Sequence, residues 1–242
     1  GIEADVPITR LSETAYLVVT PAATRLADET WLRRHVGDHR VVVTDITAAE
    51  AVICVMGPKS RALLQRVSPN DFSNAANPFG TAQEIEIGMG LARAHRVTYV
   101  GELGWEIYVS ADMAAHVFEV LHEAGREMDA RLCGLHMMDS CRIEKGFRHF
   151  GHDISSEDHV LEAGLGFAVD LTKPEFTGKA ALERNAQDPR RVLKGLLLDG
   201  PDVPHHGSPV LDGERQVGVV TSATRSPTLG HAIAMARLGV EH

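Results

Sequence analysis

The chain has 242 residues, 44% hydrophobic and 24% charged, with a formal net charge of −9. That length suits one large or two moderate folded domains, and the composition lies outside the disordered and fibrous classes. The acidic balance argues against a nucleic-acid partner, which needs clustered lysine and arginine, and no apolar run approaches the roughly 18 residues of a membrane span. Three cysteines, Cys54, Cys133 and Cys141, follow no metal or disulfide spacing and read as reduced thiols of a cytoplasmic protein. The start at Gly1 and the stop at His242 both read as cut ends, so a piece of a longer polypeptide is expected.

In chain order, residues 2–9 and 15–19 are rich in β-branched positions around a turn-like 11–14 and predict a β-hairpin. Asp5 falls in its first strand, and Pro7 marks an edge or a bulge. Residues 24–35 predict a helix with Leu26, Trp31 and Leu32 on one face. Strands are predicted at 40–44 and 50–56. Gly57-Pro58 then opens a helix that buries Leu63, Leu64 and Val67. Residues 72–80 form an Asn/Pro/Gly loop, and 84–88 with 91–96 form a second hairpin.

The segment RVTYVGELGWEIYV, Arg96 to Val109, reads as two short strands joined by a turn with Gly101 and Gly104. Trp105, Ile107 and Val109 share one face; Glu106 and Tyr108 share the other. A carboxylate in such a strand is costly if buried without partners. Either its face is wet or something donates hydrogen bonds to it.

Ser110 is an N-cap candidate for a helix carrying Met113, Val117, Val120, Leu121 and Ala124, with Asp112 in its first turn and Gly125 near its end. A further helix over 135–145 stops at Gly146, and 164–171 is strand-like. A polar stretch at 184–191 places a domain boundary near 190. Short strands at 192–198, 209–211, 216–221 and 232–238 suit a small antiparallel barrel or sandwich. The expected architecture is α+β: a core over 1–189 lacking its N-terminal part, then a truncated C-terminal β-barrel over 190–242.

Arg142 and Asp139, three residues apart on one helix, fit either a guanidinium aimed at a carboxylate-bearing ligand or a local ion pair with a helix cap. Asp5 fits either a carboxylate at a cleft mouth acting on a basic nitrogen or an edge-strand charge. Thirteen histidines include His149 and His152 three apart and the adjacent His205-His206, yet none stands in a zinc-ligand pattern, so no metal is expected. Phosphate-loop, dinucleotide and nucleophile-elbow motifs are absent.

Taken in order, GIEADV at Gly1, VMGPKS at Val55, RVTYVGELGWEIYV at Arg96, RIEKGFRHFGHD at Arg142 and LEAGLGFAVDLTKPEFTGKAAL at Leu161 resemble the folate-binding T-protein family. Its founding member is the aminomethyltransferase of glycine cleavage. The likeness extends to the C-terminal folate-binding half of flavin-linked dimethylglycine and sarcosine dehydrogenases and oxidases. The resemblance implies a fold of mixed antiparallel sheets with helices, tetrahydrofolate in a funnel between three domains, and transfer of a one-carbon unit from a substrate nitrogen, sulfur or oxygen. It implies that Glu106 holds the pterin, that Tyr99 packs on the pterin, and that Asp5 lies near the accepting nitrogens. Arg142 matches a helix arginine of the family and is carried over as a cofactor contact. The implied partner is a methylated amine or aminomethyl donor, with an upstream flavin domain or a carrier protein; FAD is implied only with such a separate domain.

The chain departs from the family pattern at Pro7, and at Arg225, where an aromatic is usual before Ser-Pro-Thr-Leu. A non-catalytic folate-binding or regulatory module is the alternative reading. The cysteine that iron–sulfur-maintenance relatives carry is absent from EKGFRHFG.

Overall fold

The computed structural model describes residues 1–241 and divides the chain into two compact units. The first is Val6–Gly134; the second joins Gly1–Asp5 to Leu135–His242. The composition break near 190 falls at the start of a strand, while packing keeps residues 135–190 with the strands that follow.

The first unit contains β1 (Ile8–Arg10), β2 (Tyr16–Val18), α1 (Arg25–Arg34), β3 (Glu50–Met56), α2 (Ser60–Val67), β4 (Ala82–Ile87), β5 (Gly90–His95), β6 (Gly104–Ser110) and α3 (Ala114–Arg126). β1 and β2 pair as the expected hairpin. The main sheet is antiparallel in the order β3-β6-β5-β4. Its inward positions alternate as a half-buried sheet requires. Val55, Ile85, Ile87, Ala92, Ala94, Trp105, Ile107 and Val109 meet Leu63 and Leu64 of α2 and Val117 and Leu121 of α3 in one core.

The glycine turn is fixed by two different constraints. Gly101 has φ +77°, a conformation side chains disfavour. At Gly104 an added Cβ would clash with Met56 Sδ and lie 3.0 Å from the Val55 carbonyl oxygen, so the β3–β6 pairing depends on the missing side chain. Gly104→Ala is therefore expected to destabilise the protein by about 1–3 kcal/mol, read as a lower urea midpoint at unchanged slope.

The second unit contains α4 (Leu135–Glu144), a 3-10 turn (Gly166–Ala168), α5 (Lys179–Asn185), β7 (Arg191–Leu198), β8 (Pro209–Asp212), β9 (Arg215–Arg225) and β10 (Ala232–Gly239). Its sheet is antiparallel in the order β7-β10-β9-β8 and forms the barrel-like element. The Ser-Pro-Thr segment after β9 serves α4: Ser226 Oγ, Thr228 N and Thr228 Oγ1 all donate to the Glu144 carboxylate. These bonds, the Ser226 hydroxyl first, hold Glu144 below the ordinary carboxylate range despite the opposing cost of burial.

Several expected elements are corrected. Residues 40–44 form no strand, because no neighbouring strand pairs with them and Val42 stays exposed. The first arm of the glycine motif is irregular: Val97 N donates to the His95 carbonyl and Arg96 turns to the Asn77 carbonyl, so the chain leaves the ladder where β5 ends. Residues 164–171 turn back on themselves, with Gly164 N bonded to Leu161 O and Leu165 N to Val160 O. Asp5 precedes β1 instead of lying in it. α1 forms, but none of its residues is buried. The N-cap of α3 is Met113, without a side-chain cap, and Ser110 instead accepts the Met113 N–H through its carbonyl.

Candidate functional site

The outward face of the first unit's sheet carries the polar arrangement that the sequence pattern singled out. On β6, Glu106 stands opposite Cys54 of β3 and His95 of β5, and Tyr108 stands opposite Val52 and Arg93. Tyr108 Oη donates to Glu106 Oε2 at 2.7 Å. The His95 ring packs on the Tyr108 ring with centroids 4.3 Å apart, and its Nδ1 lies 3.4 Å from Thr9 Oγ1 of β1. Glu106 is half-buried, whereas Tyr108 and His95 are buried.

The electrostatics of the face are consistent with this geometry. Burial, then the hydrogen bond and charge of Glu106, push the Tyr108 phenol far above its usual range, which keeps the hydroxyl a donor. Burial first and Glu106 second raise the Cys54 thiol. Burial first and Arg93 second lower His95, favouring neutral imidazole. His95 Nε2 and Thr98 Oγ1 are buried without a hydrogen-bond partner, a condition native structures rarely tolerate without a ligand or water to meet it. Tyr99 follows directly, half-buried at the entrance to the glycine turn.

This face is set by the anchoring of its reverse side. Trp105 is fully buried, meets Phe72 edge-to-face at 5.5 Å, and donates its indole N–H to Asn77 Oδ1. Asn77 is itself fully buried and donates through Nδ2 to Thr81 Oγ1 at 3.0 Å. The Asn-rich loop is thus the clamp that fixes β6, a role its loop-like composition does not announce.

In the second unit Asp5 is exposed. Arg142 is 1% exposed, and its guanidinium is committed internally. Nε donates to Asp139 Oδ1 at 2.7 Å, Nη2 to Ser222 Oγ at 2.8 Å, and Nη1 to the Phe147 carbonyl at 3.2 Å and to Asp153. Thr221 Oγ1 also donates to Asp153, which is buried. Burial pushes Asp153 up, but the Thr221 and Ser222 hydroxyls and Arg142 outweigh it and hold the carboxyl below its usual range.

Of the two readings of Arg142, the geometry fits the ion pair, extended by a partner that spacing could not reveal. A cavity of about 540 Å³ opens beside it, lined by Leu135, Asp139, His149, His152 and His206 among others. The three histidine rings contact in series, at 4.4 and 5.5 Å between centroids. No group of three or more metal-ligating side chains among the described residues could hold a metal ion.

Tyr99 and Glu106 therefore belong to one unit, and Asp5 and Arg142 to the other. Tyr108 shares the Glu106 face as alternation predicts. His95 goes unflagged by sequence reasoning because its place beside Glu106 depends on strand pairing. No helix among the described residues is long and apolar enough to cross a membrane.

Comparison with known proteins matches both parts of the chain. Residues 1–173 fit the GCVT N-terminal domain, and residues 191–242 fit the glycine cleavage T-protein C-terminal barrel domain. The chain is 45% identical over 243 residues to a 4-methylaminobutanoate oxidase (formaldehyde-forming) of Paenarthrobacter nicotinovorans, covering 98% of this chain and 29% of the oxidase. It is 38% identical to an aminomethyltransferase of Symbiobacterium thermophilum, covering 98% of this chain and 65% of that protein. The crystal structure of the glycine cleavage system aminomethyltransferase T from Bartonella henselae superposes on all of this chain and 65% of its own, with a TM-score of 0.85 at 26% identity. The chain thus spans under two thirds of these relatives' length, and by the match of its two domains in order it belongs to the glycine cleavage T-protein family.

Proposed function

We propose that this chain is the folate-dependent part of an enzyme that transfers a one-carbon unit from a methylated amine or aminomethyl donor to tetrahydrofolate. One observation carries the reading. Glu106 is a half-buried carboxylate held by Tyr108 through one oxygen, and a carboxylate offers about four lone-pair sites. A pterin presents two parallel N–H donors, which such a carboxylate accepts bidentately. The half-buried Tyr99 and the unpartnered Thr98 Oγ1 are further support, since both suit a polar, planar ligand.

When bound, tetrahydrofolate supplies the nitrogens that accept the carbon. Glu106 holds and orients the ring, and Tyr99 gives it an apolar wall. Asp5, an exposed carboxylate, is assigned on the family resemblance to stabilise positive charge developing on a nitrogen that bears the transferred carbon, and to take up a proton. Positioning of the donor carbon against the accepting nitrogen would supply much of the remaining acceleration. Arg142 we assign to holding the second unit together, away from cofactor contact.

Similarity to the methylaminobutanoate oxidase supports an N-methyl donor of the sarcosine or dimethylglycine type. On this reading FAD sits in a separate flavin domain that oxidises the amine, and the folate part captures the carbon. Cys54, Cys133 and Cys141 follow no disulfide spacing, which fits a reducing, cytoplasmic compartment.

Calorimetric titration of tetrahydrofolate into the chain and into Glu106→Gln tests the proposal. The variant keeps the shape and loses the charge-assisted bonds, so its Kd should rise about tenfold or more. Equal affinity in the two proteins would overturn the assignment of Glu106, and binding without any carbon transfer by the full-length protein would favour the regulatory module.

A further inference from the structure

Glu106 accepts two parallel N–H donors at least cost when the plane of its carboxylate is already restricted. A glutamate side chain on an open sheet face has three rotatable bonds, and its terminal torsion is broad. One neighbour restricts that freedom directly, and a second supports the first. Tyr108 lies two residues along the same strand and so on the same face, and its hydroxyl takes one site on Oε2 at 2.7 Å. That leaves both sites of Oε1 and one of Oε2 facing elsewhere.

Tyr108 is in turn held. Its ring is buried against His95, whose own strand pairs with β6 so that His95 lies directly opposite Glu106. The His95 ring is tilted 33° to Tyr108 at 4.3 Å, a contact that constrains the phenol without a hydrogen bond between the two.

We propose that Tyr108, propped by His95, is a positioning residue that orients Glu106 for two-point recognition of a ligand edge carrying adjacent N–H donors. It thereby selects the 2-amino-4-oxo edge of a reduced pterin over edges with a single donor. This rests on the assignment of the Glu106 face to folate. Burial of Tyr108 and the neighbouring carboxylate raise its phenol, so the hydroxyl that donates to Glu106 Oε2 stays a donor. His95 acts as a prop through its ring: it is buried, favoured neutral, and held from behind by Thr9 Oγ1, 3.4 Å from its Nδ1.

The test compares the affinities of tetrahydrofolate and its 2-desamino analogue, which keeps the ring but lacks the second donor. They are measured by calorimetry on the full chain and its variants. The unaltered protein should prefer tetrahydrofolate by about tenfold, the worth of one charge-assisted hydrogen bond. Tyr108→Phe should shrink that preference to about twofold while still binding both ligands. His95→Phe, which keeps an aromatic prop, should retain the preference, and His95→Ala should lose it.

A merely structural role for Tyr108 would weaken both ligands by the same factor and leave the ratio untouched; that outcome overturns the proposal. Loss of the preference in His95→Phe would likewise overturn the part assigned to the ring. If the unaltered protein shows no preference at all, the folate assignment of Glu106 itself fails, whatever Tyr108 does. Far-ultraviolet circular dichroism of each variant shows that it is folded before its ratio is read.

Discussion

Arg142→Met is expected to destabilise the second unit by about 3–5 kcal/mol, the loss typical when one member of a buried ion pair is removed. The cause is what stays behind. Asp153 is 1% exposed, and without the guanidinium it keeps only hydroxyl and backbone donors for its charge. Asp139 also loses its partner, but it is half exposed and water replaces the bond cheaply. The cost therefore sits on the Arg142–Asp153 contact. Replacing both residues by apolar side chains of similar size, Arg142→Met with Asp153→Leu, should recover most of the loss, because no buried charge remains unpaired.

The pH dependence has a definite sign. The fold holds Asp153 below 3.8, so its stabilising contribution is complete above that value and is lost as the pH falls through the lowered one. In Arg142→Met the share supplied by the guanidinium is gone from the start, while that of the Thr221 and Ser222 hydroxyls and the His149 N–H remains. The stability gap between the two proteins should be widest near neutrality and should close on acidification. Differential scanning calorimetry across that range reads both effects; a gap independent of pH would show that packing, not the ion pair, carries the loss.

Trp105→Ala should cost the first unit about 3–5 kcal/mol, the range for emptying a large aromatic site in a packed core. Three further losses point the same way. Asn77, fully buried, is left with an amide oxygen that nothing meets. Phe72 loses its edge-to-face partner at 5.5 Å. The guanidinium carbons of Arg61 and Arg96, 5.8 and 5.7 Å from the indole centroid, lose the ring they lie over. Trp105→Phe, which keeps a ring and drops the N–H, should fall well short of this. Because Trp105 and Glu106 are consecutive on β6, Trp105→Ala should also abolish the tetrahydrofolate binding proposed above. Urea unfolding together with titration of the surviving folded protein checks both.

The parts of the fold legible in the sequence are those whose signal is local. The run 50–56 predicts β3 to the residue, since its alternation matches a strand with one buried face. The helices over Leu63–Val67 and Val117–Ala124 follow from apolar spacing that meets one core. What fails depends on partners. Residues 40–44 have the β-branched composition of a strand but no strand beside them, and α5, Lys179–Asn185, forms where the sequence pattern predicts no element. At the site, Glu106 is conspicuous because a carboxylate is out of place in such a strand. His95 is not, because its position across from Glu106 is a fact of register. Arg142 divides the same way: Asp139 is visible three residues off, while Ser222, 80 residues away, is brought to it only by the folding of the second unit.

The division of the chain into two compact units has an optical consequence. Both tryptophans, Trp31 and Trp105, and all three tyrosines, Tyr16, Tyr99 and Tyr108, lie in Val6–Gly134. The other unit contains no indole and no phenol among its aromatic side chains. Intrinsic emission is thus a private signal of the unit that carries Glu106: Trp31, about half exposed, is open to aqueous quenchers, and Trp105, sealed in the core, is not. Melting of the Arg142 unit alone would pass unseen in that channel, and a coincident change there would mean that the two units unfold as one.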